Sequence, residues 1–225
     1  TLKHISISGG EPLITDSHLK LLNFLIDNNL TDVTLGYSSN LSNLDYKGVD
    51  LISLWDNFRQ VDIEASLDGW GDAVEYSRTG LDLNVFMNNF KRAFKYISAI
   101  NCVVSIYSVW TLPYVEKFRR HSKNIIYSPC YLPIYANPQI LMREDKKALY
   151  ELYKPYPELL KVYQNFIDID LDKDYNYPNN FDKSEVWSVS KIRQTMIFYN
   201  LLLDSHRNTS FFDVFPMYRK YGEND

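Results

Sequence analysis

The chain has 225 residues, 45% of them apolar, and carries 18 Tyr, 12 Phe and 4 Trp, enough for a sizeable core and too aromatic for a disordered chain. A net charge of −4, with 24 Lys and Arg dispersed along the sequence, argues against a nucleic-acid binder that works by neutralising phosphates. No apolar run approaches the roughly 18–20 residues of a membrane span, and two cysteines, Cys102 and Cys130, are too few for a disulfide framework, so the chain reads as cytoplasmic.

Residues 2–8 alternate apolar and polar with the period of a strand, and Ser8-Gly9-Gly10-Glu11-Pro12 follows as a turn. Residues 16–29 place Leu19, Leu22, Leu25 and Ile26 at helical spacing, which predicts a helix with Asp16 as its N-cap. A second strand is predicted over 33–37, ending in Ser38-Ser39-Asn40, and a helix over 49–58. The third strand, 61–67, runs into Asp68-Gly69, with Arg78-Thr79-Gly80 ten residues on. A helix is then predicted over 85–100, a fourth strand over 102–109, a short helix over 112–121 and a fifth strand over 124–132.

Strand and helix alternating every 25–30 residues describe βαβ crossovers and a parallel sheet, either doubly wound or a (β/α) barrel. Consecutive strands are expected to be neighbours, with the first at an edge. Functional groups should gather at the loops following the strands' C-terminal ends. Beyond residue 140 the pattern turns helical, over 143–153, 158–167 and 183–203, with an acidic loop over 168–182. The expected organisation is a sheet domain over 1–140 and a mainly helical extension over 141–225.

Three strand ends carry polar or glycine-rich segments. Gly9 and Gly10 permit positive φ and close approach of a ligand to the backbone. Glu11 adds an acceptor for a cation, and Pro12 stiffens the exit. Ser39 and Asn40 add polar groups at the second strand end, Ser66 and Asp68 at the third, and Arg78 can clamp a carboxylate with two parallel bonds. Each segment also fits a bland alternative: a βα turn, a turn cap, a surface arginine.

In order along residues 2 to about 135, these segments resemble the radical SAM superfamily, and most closely its peptide-modifying and sulfatase-maturing members. The stretch 204–216 resembles the ending of virus-encoded members with a shortened twitch-type extension. The resemblance implies an incomplete (β/α)6 barrel. It implies that Gly9, Gly10, Glu11 and Pro12 hold the amino group of S-adenosylmethionine, that Ser39, Asn40, Ser66 and Asp68 lie near its ribose and polar groups, and that Arg78 meets its carboxylate. Leu132 would line the adenine. The family's activity is reductive cleavage of S-adenosylmethionine to a 5′-deoxyadenosyl radical, which takes a hydrogen atom from a substrate, here a peptide among other classes. An electron donor such as flavodoxin or ferredoxin would be the partner.

The family's Cys-x3-Cys-x2-Cys loop, which holds a 4Fe–4S cluster, has no counterpart here. The chain opens on Thr1 and runs straight into a strand, so that loop is expected upstream, and the present chain alone is expected to be inactive. No cysteine follows Cys130, so no auxiliary cluster is expected. His4, His18, His121 and His206 lack metal-ligand spacing and read as structural or surface residues; Cys130 reads as a packed thiol. The competing function is a binding scaffold that keeps the barrel without cluster chemistry. An aldolase- or epimerase-like barrel would need a catalytic Lys, His or metal set at a strand end, and the sequence offers none.

Overall fold

The computed structural model describes residues 2–121, 124–171 and 187–222. Five strands form a parallel sheet: β1 (His4–Ile7), β2 (Thr34–Ser39), β5 (Gln60–Ser66), β6 (Ile97–Val104) and β7 (Asn124–Pro129). Their spatial order is their order in the chain, with β1 at one edge. A two-stranded antiparallel hairpin, β3 (Asp45–Tyr46) with β4 (Val49–Asp50), interrupts the connection between β2 and β5.

The crossovers are α1 (Asp16–Asp27), α2 (Leu51–Trp55), α3 (Asp72–Ser77), α4 (Leu83–Arg92) and α5 (Leu112–Glu116). The later helices are α6 (Arg143–Tyr153), α7 (Pro157–Val162), α8 (Val189–Arg207) and α9 (Phe211–Val214). The chain packs as two compact units. The first comprises Thr1–Leu67, Arg78–Cys102 and Phe118–Ile126; the second comprises Asp68–Ser77, Val103–Lys117 and Tyr127–Asp225. The second unit thus draws in segments that precede residue 141.

In the first unit the strand registers sort the side chains onto two faces. Ile5 pairs with Leu35 and Leu35 with Val61; Ile7 pairs with Tyr37 and Tyr37 with Ile63. This apolar face is covered by helices: His18 of α1 and Trp55 of α2 both bond the Tyr37 hydroxyl, at 3.0 and 3.2 Å. Leu22, Leu35, Trp55, Ile63 and Ala65 are fully buried there. The opposite face carries His4, Thr34 and Gln60 in one row and Ser6, Gly36 and Asp62 in the next, followed by Ser38 beside Glu64. A parallel sheet buried on both faces has near-continuous apolar strands; these strands alternate instead.

The second unit is built around aromatics. Tyr76, Tyr107, Phe211, Phe215 and Tyr218 stack edge to face and ring to ring. Fully buried Asn200 joins two of them, its Oδ1 accepting from the Tyr76 and Tyr107 hydroxyls at 3.2 and 3.0 Å. Tyr218 donates to the Ile106 carbonyl at 2.7 Å and accepts from Trp110 Nε1 at 3.0 Å.

Several boundaries differ from the sequence reading. Thr15, not Asp16, caps α1, its hydroxyl accepting from the His18 amide at 3.3 Å. Asp16 opens the helix and holds Lys47 at 2.6 Å. Only Leu51–Trp55 of 49–58 is α-helical, because Val49 and Asp50 enter the hairpin. The helix predicted over 85–100 ends at Arg92, and Ile97 starts β6 by pairing with Ile63. The fourth strand therefore stops at Val104. Beyond it the Ser108 hydroxyl accepts from the Ser105 amide at 2.8 Å and donates to the Val103 carbonyl at 2.8 Å, so turns replace the ladder. The fifth strand ends at Pro129, short of Leu132. The helix over 143–153 stands as predicted, and 158–167 is helical as α7 and a π-turn over Tyr163–Ile167. The last long helix runs Val189–Arg207, and 183–186 and most of the acidic loop lie outside the described residues.

Candidate functional site

The first strand end is a turn that only glycine makes cheaply. Gly9 and Gly10 have φ of 99° and 56°, and a β-carbon at either would meet nothing within 4 Å. Backbone conformation rather than crowding therefore selects glycine, and both residues lie exposed at the rim. Pro12 then opens a short 3-10 turn, Pro12–Ile14, at a position where the missing N–H costs nothing.

Glu11 is the junction of two strand ends. Its Oε1 accepts from the Ser39 hydroxyl at 2.7 Å and from the Leu13 amide at 3.2 Å. Its Oε2 accepts from the Asn40 amide at 2.7 Å. Ser39, only 2% exposed, also accepts from the Leu41 amide at 2.9 Å. The Asn40 side chain accepts from the Ser42 amide at 2.9 Å and holds the following turn. Three charge-assisted donors fix this carboxylate. Glu11, Ser39 and Asn40 thus come together, although the Ser39 hydroxyl is spent on Glu11 rather than turned toward a ligand.

Ser66 ends β5 on the polar face, in register with Asn101. Arg78 is half-buried just after α3, and its carbonyl accepts from the Leu81 amide at 2.9 Å, closing a turn through Gly80 at φ 90°. Asp68 and Leu132 belong to the second unit. Asp68 Oδ1 accepts from the Val103 amide at 2.8 Å. Leu132 is 69% exposed, precedes a cis bond to Pro133 and accepts from the Cys130 thiol at 3.5 Å.

Sequence reasoning missed the residues of the polar face itself. His4, Ser6, Ser38, Asp62, Glu64 and Ser98 surround an open pocket of about 420 Å³. Gly36 forms part of its wall, and a β-carbon there would come within 3.0 Å of the His4 ring. The Asp62 carboxylate accepts from Gln60 Nε2 at 2.7 Å. The signal was the strict polar alternation of β1 and β5, which a doubly covered sheet would lack.

His18 is buried among apolar side chains, and desolvation pushes its pKa down to about 4. Its Nδ1 finds no partner among the described residues. It is a core residue, wedged edge-on against Tyr37.

Two groups implied by the family resemblance can be set against these residues. Cys102 is buried and Cys130 half-buried; among the described residues no three His, Cys, Asp or Glu side chains gather as ligands. They do not fit a cluster held by three thiolates. The exposed Gly9–Gly10 backbone and the fixed Glu11 carboxylate fit a cationic or zwitterionic group, while the polar pocket is lined by other residues of the same sheet. Set beside known proteins, the chain matches no family model, no curated protein and no solved structure.

Proposed function

We propose that the strand-end rim of the first unit binds S-adenosylmethionine, and that its sheet is the wall of a partial (β/α)6 barrel of the radical SAM type. The observation that carries this reading is the closure of Glu11 onto Ser39 and Asn40, groups 28 and 29 residues away with no local reason to meet. The uncovered polar face supports the barrel half of the proposal, since a barrel wall has helices outside and functional side chains within. In this reading the Gly9–Pro12 backbone and the one remaining acceptor position of Glu11, on Oε2, receive the ammonium group. Asn40 and Ser66 meet ribose hydroxyls, and Arg78 grips the carboxylate. Ser39 acts as a positioning residue that fixes Glu11.

Bound S-adenosylmethionine supplies a 5′-deoxyadenosyl radical when an electron reaches its sulfonium, and that radical takes a hydrogen atom from substrate; the protein orients the reacting atoms and excludes water. The substrate class proposed is a peptide, and the electron donor a flavodoxin or ferredoxin. A second reading, a binding protein that keeps the sheet without radical chemistry, is favoured by one observation: two cysteines cannot hold the cluster.

Calorimetric titration of the chain with S-adenosylmethionine tests the binding claim. Saturable binding is expected, weakened roughly 10- to 100-fold by Glu11→Ala and by Arg78→Ala, the equivalent of about 1.5–3 kcal/mol for a lost charge-assisted bond. Arg78→Lys should recover only part of the loss, because an ammonium lacks the guanidinium's two-pronged grip. Unchanged affinity in both alanine variants, or no binding by the parent chain, rejects the assignment.

A further inference from the structure

We propose that the polar face of the first unit's sheet receives a basic side chain, the ammonium of a lysine or the guanidinium of an arginine, presented by a peptide. The inference rests on the reading above of a peptide substrate and names the kind of residue the site selects. Sheets of parallel strands are, as a rule, covered on both faces. Helices cover the apolar face of this one. The other face holds the open pocket of about 420 Å³, a volume that suits a small ligand group. Its lining of hydroxyls and carboxylates calls for a hydrophilic cover rather than another helix's apolar stripe.

Unlike the rim, the pocket keeps its polar groups unspent. Ser39 gives its hydroxyl to Glu11. The Ser6 and Ser38 hydroxyls and the Glu64 carboxylate, by contrast, have no hydrogen-bond or ionic partner among the described residues. The Asp62 carboxylate has one, Gln60 Nε2. The charge is also one-sided. Asp62 and Glu64 stand on the same face of β5, about 7 Å apart along the strand, and no lysine or arginine lines the pocket. Arg59 reaches this face at Thr34, in the first row, and pairs with Asp32 at 3.7 Å. Neighbouring like charges repel, and one cation set between them removes that repulsion, whereas an anionic group would add to it. The backbone makes room for such a guest. Gly36 lies between Ser6 and Asp62 in the sheet, and its missing side chain opens the pocket there. β6 inserts Ser98 as an extra residue between the partners of Ile63 and Glu64, a bulge that adds a further hydroxyl to the lining.

The test is calorimetric titration of the full chain, at pH 7 and low salt, with three capped pentapeptides whose central residue is lysine, arginine or glutamine and whose others are glycine. Saturable binding of a basic peptide is expected, about tenfold or more tighter than the glutamine peptide. The tighter of the two basic peptides identifies an ammonium or a guanidinium site. The double variant Asp62→Asn/Glu64→Gln keeps the side-chain sizes and removes both charges, and it should weaken that binding by about tenfold or more. Saturation by neither basic peptide, with or without S-adenosylmethionine present, overturns the proposal. So does a glutamine peptide that binds as tightly, or a double variant that binds as well as the parent. The glutamine comparison uses the parent chain, so it decides the matter even where the variant does not fold. Titration with S-adenosylmethionine alone separates the two claims: a chain that binds the basic peptide and not S-adenosylmethionine overturns the rim assignment and keeps this pocket, and the reverse overturns the pocket alone.

Discussion

Glu11 has a structural role that stands apart from any ligand. It links β1 to the end of β2 through Ser39 and Asn40, so its loss should register in stability before any ligand is added. Glu11→Ala and Ser39→Ala should each lower the urea midpoint by the equivalent of about 1–3 kcal/mol. The double variant should cost clearly less than the sum, because both changes remove the same bond. Strict additivity would mean the two groups do not interact in solution. His18 makes a second prediction at this scale. Its pKa falls from 6.5 when unfolded to about 4 when folded, so between those values the unfolded chain binds more protons. Stability is therefore full well above pH 6.5 and drains as pH falls toward 4, by about 3 kcal/mol in total. His18→Leu should flatten that slope in denaturation curves between pH 6.5 and 4.5; an equally steep curve would contradict the assignment.

Among the elements, the caps and the strand starts separate what was legible in the sequence from what was not. Strand periodicity located β1, β2 and β5 within a residue or two, because each alternates cleanly and ends in glycine or polar residues. The helix over 85–100 was overextended because Phe86, Phe90, Ala93, Phe94 and Ile97 keep a helical phase, while the pairing of Ile97 with Ile63 is a tertiary fact with no local signature. Asp16 looks like a cap by residue type; Thr15 takes the role because its extended backbone aims the hydroxyl at the His18 amide. Thr15→Ala should accordingly cost about 1 kcal/mol of stability and Asp16→Ala distinctly less, a ranking that thermal melts resolve. The reverse order would restore Asp16 as the cap. Lys146 was illegible for a different reason: a lysine on a polar helix reads as solvated, and only the fold buries it.

At the scale of the whole molecule, sequence spacing gave the parallel sheet and the order of its strands, while the family resemblance placed Glu11, Ser39 and Asn40 along one ligand and did not foresee the bonds that join them to one another. Periodicity alone could not have joined them. The polar face was present in the alternation of β1 and β5, but its meaning depends on knowing that, among the described residues of the first unit, helices cover the opposite side. The central claim, a site for S-adenosylmethionine at that rim, is tested most directly by amide chemical shifts recorded during titration with the ligand. The account predicts the largest shifts at Gly9, Gly10, Asn40 and Ser66, saturating together with one dissociation constant. Saturable shifts confined to residues outside this rim, or no shifts at ligand excess, would contradict it.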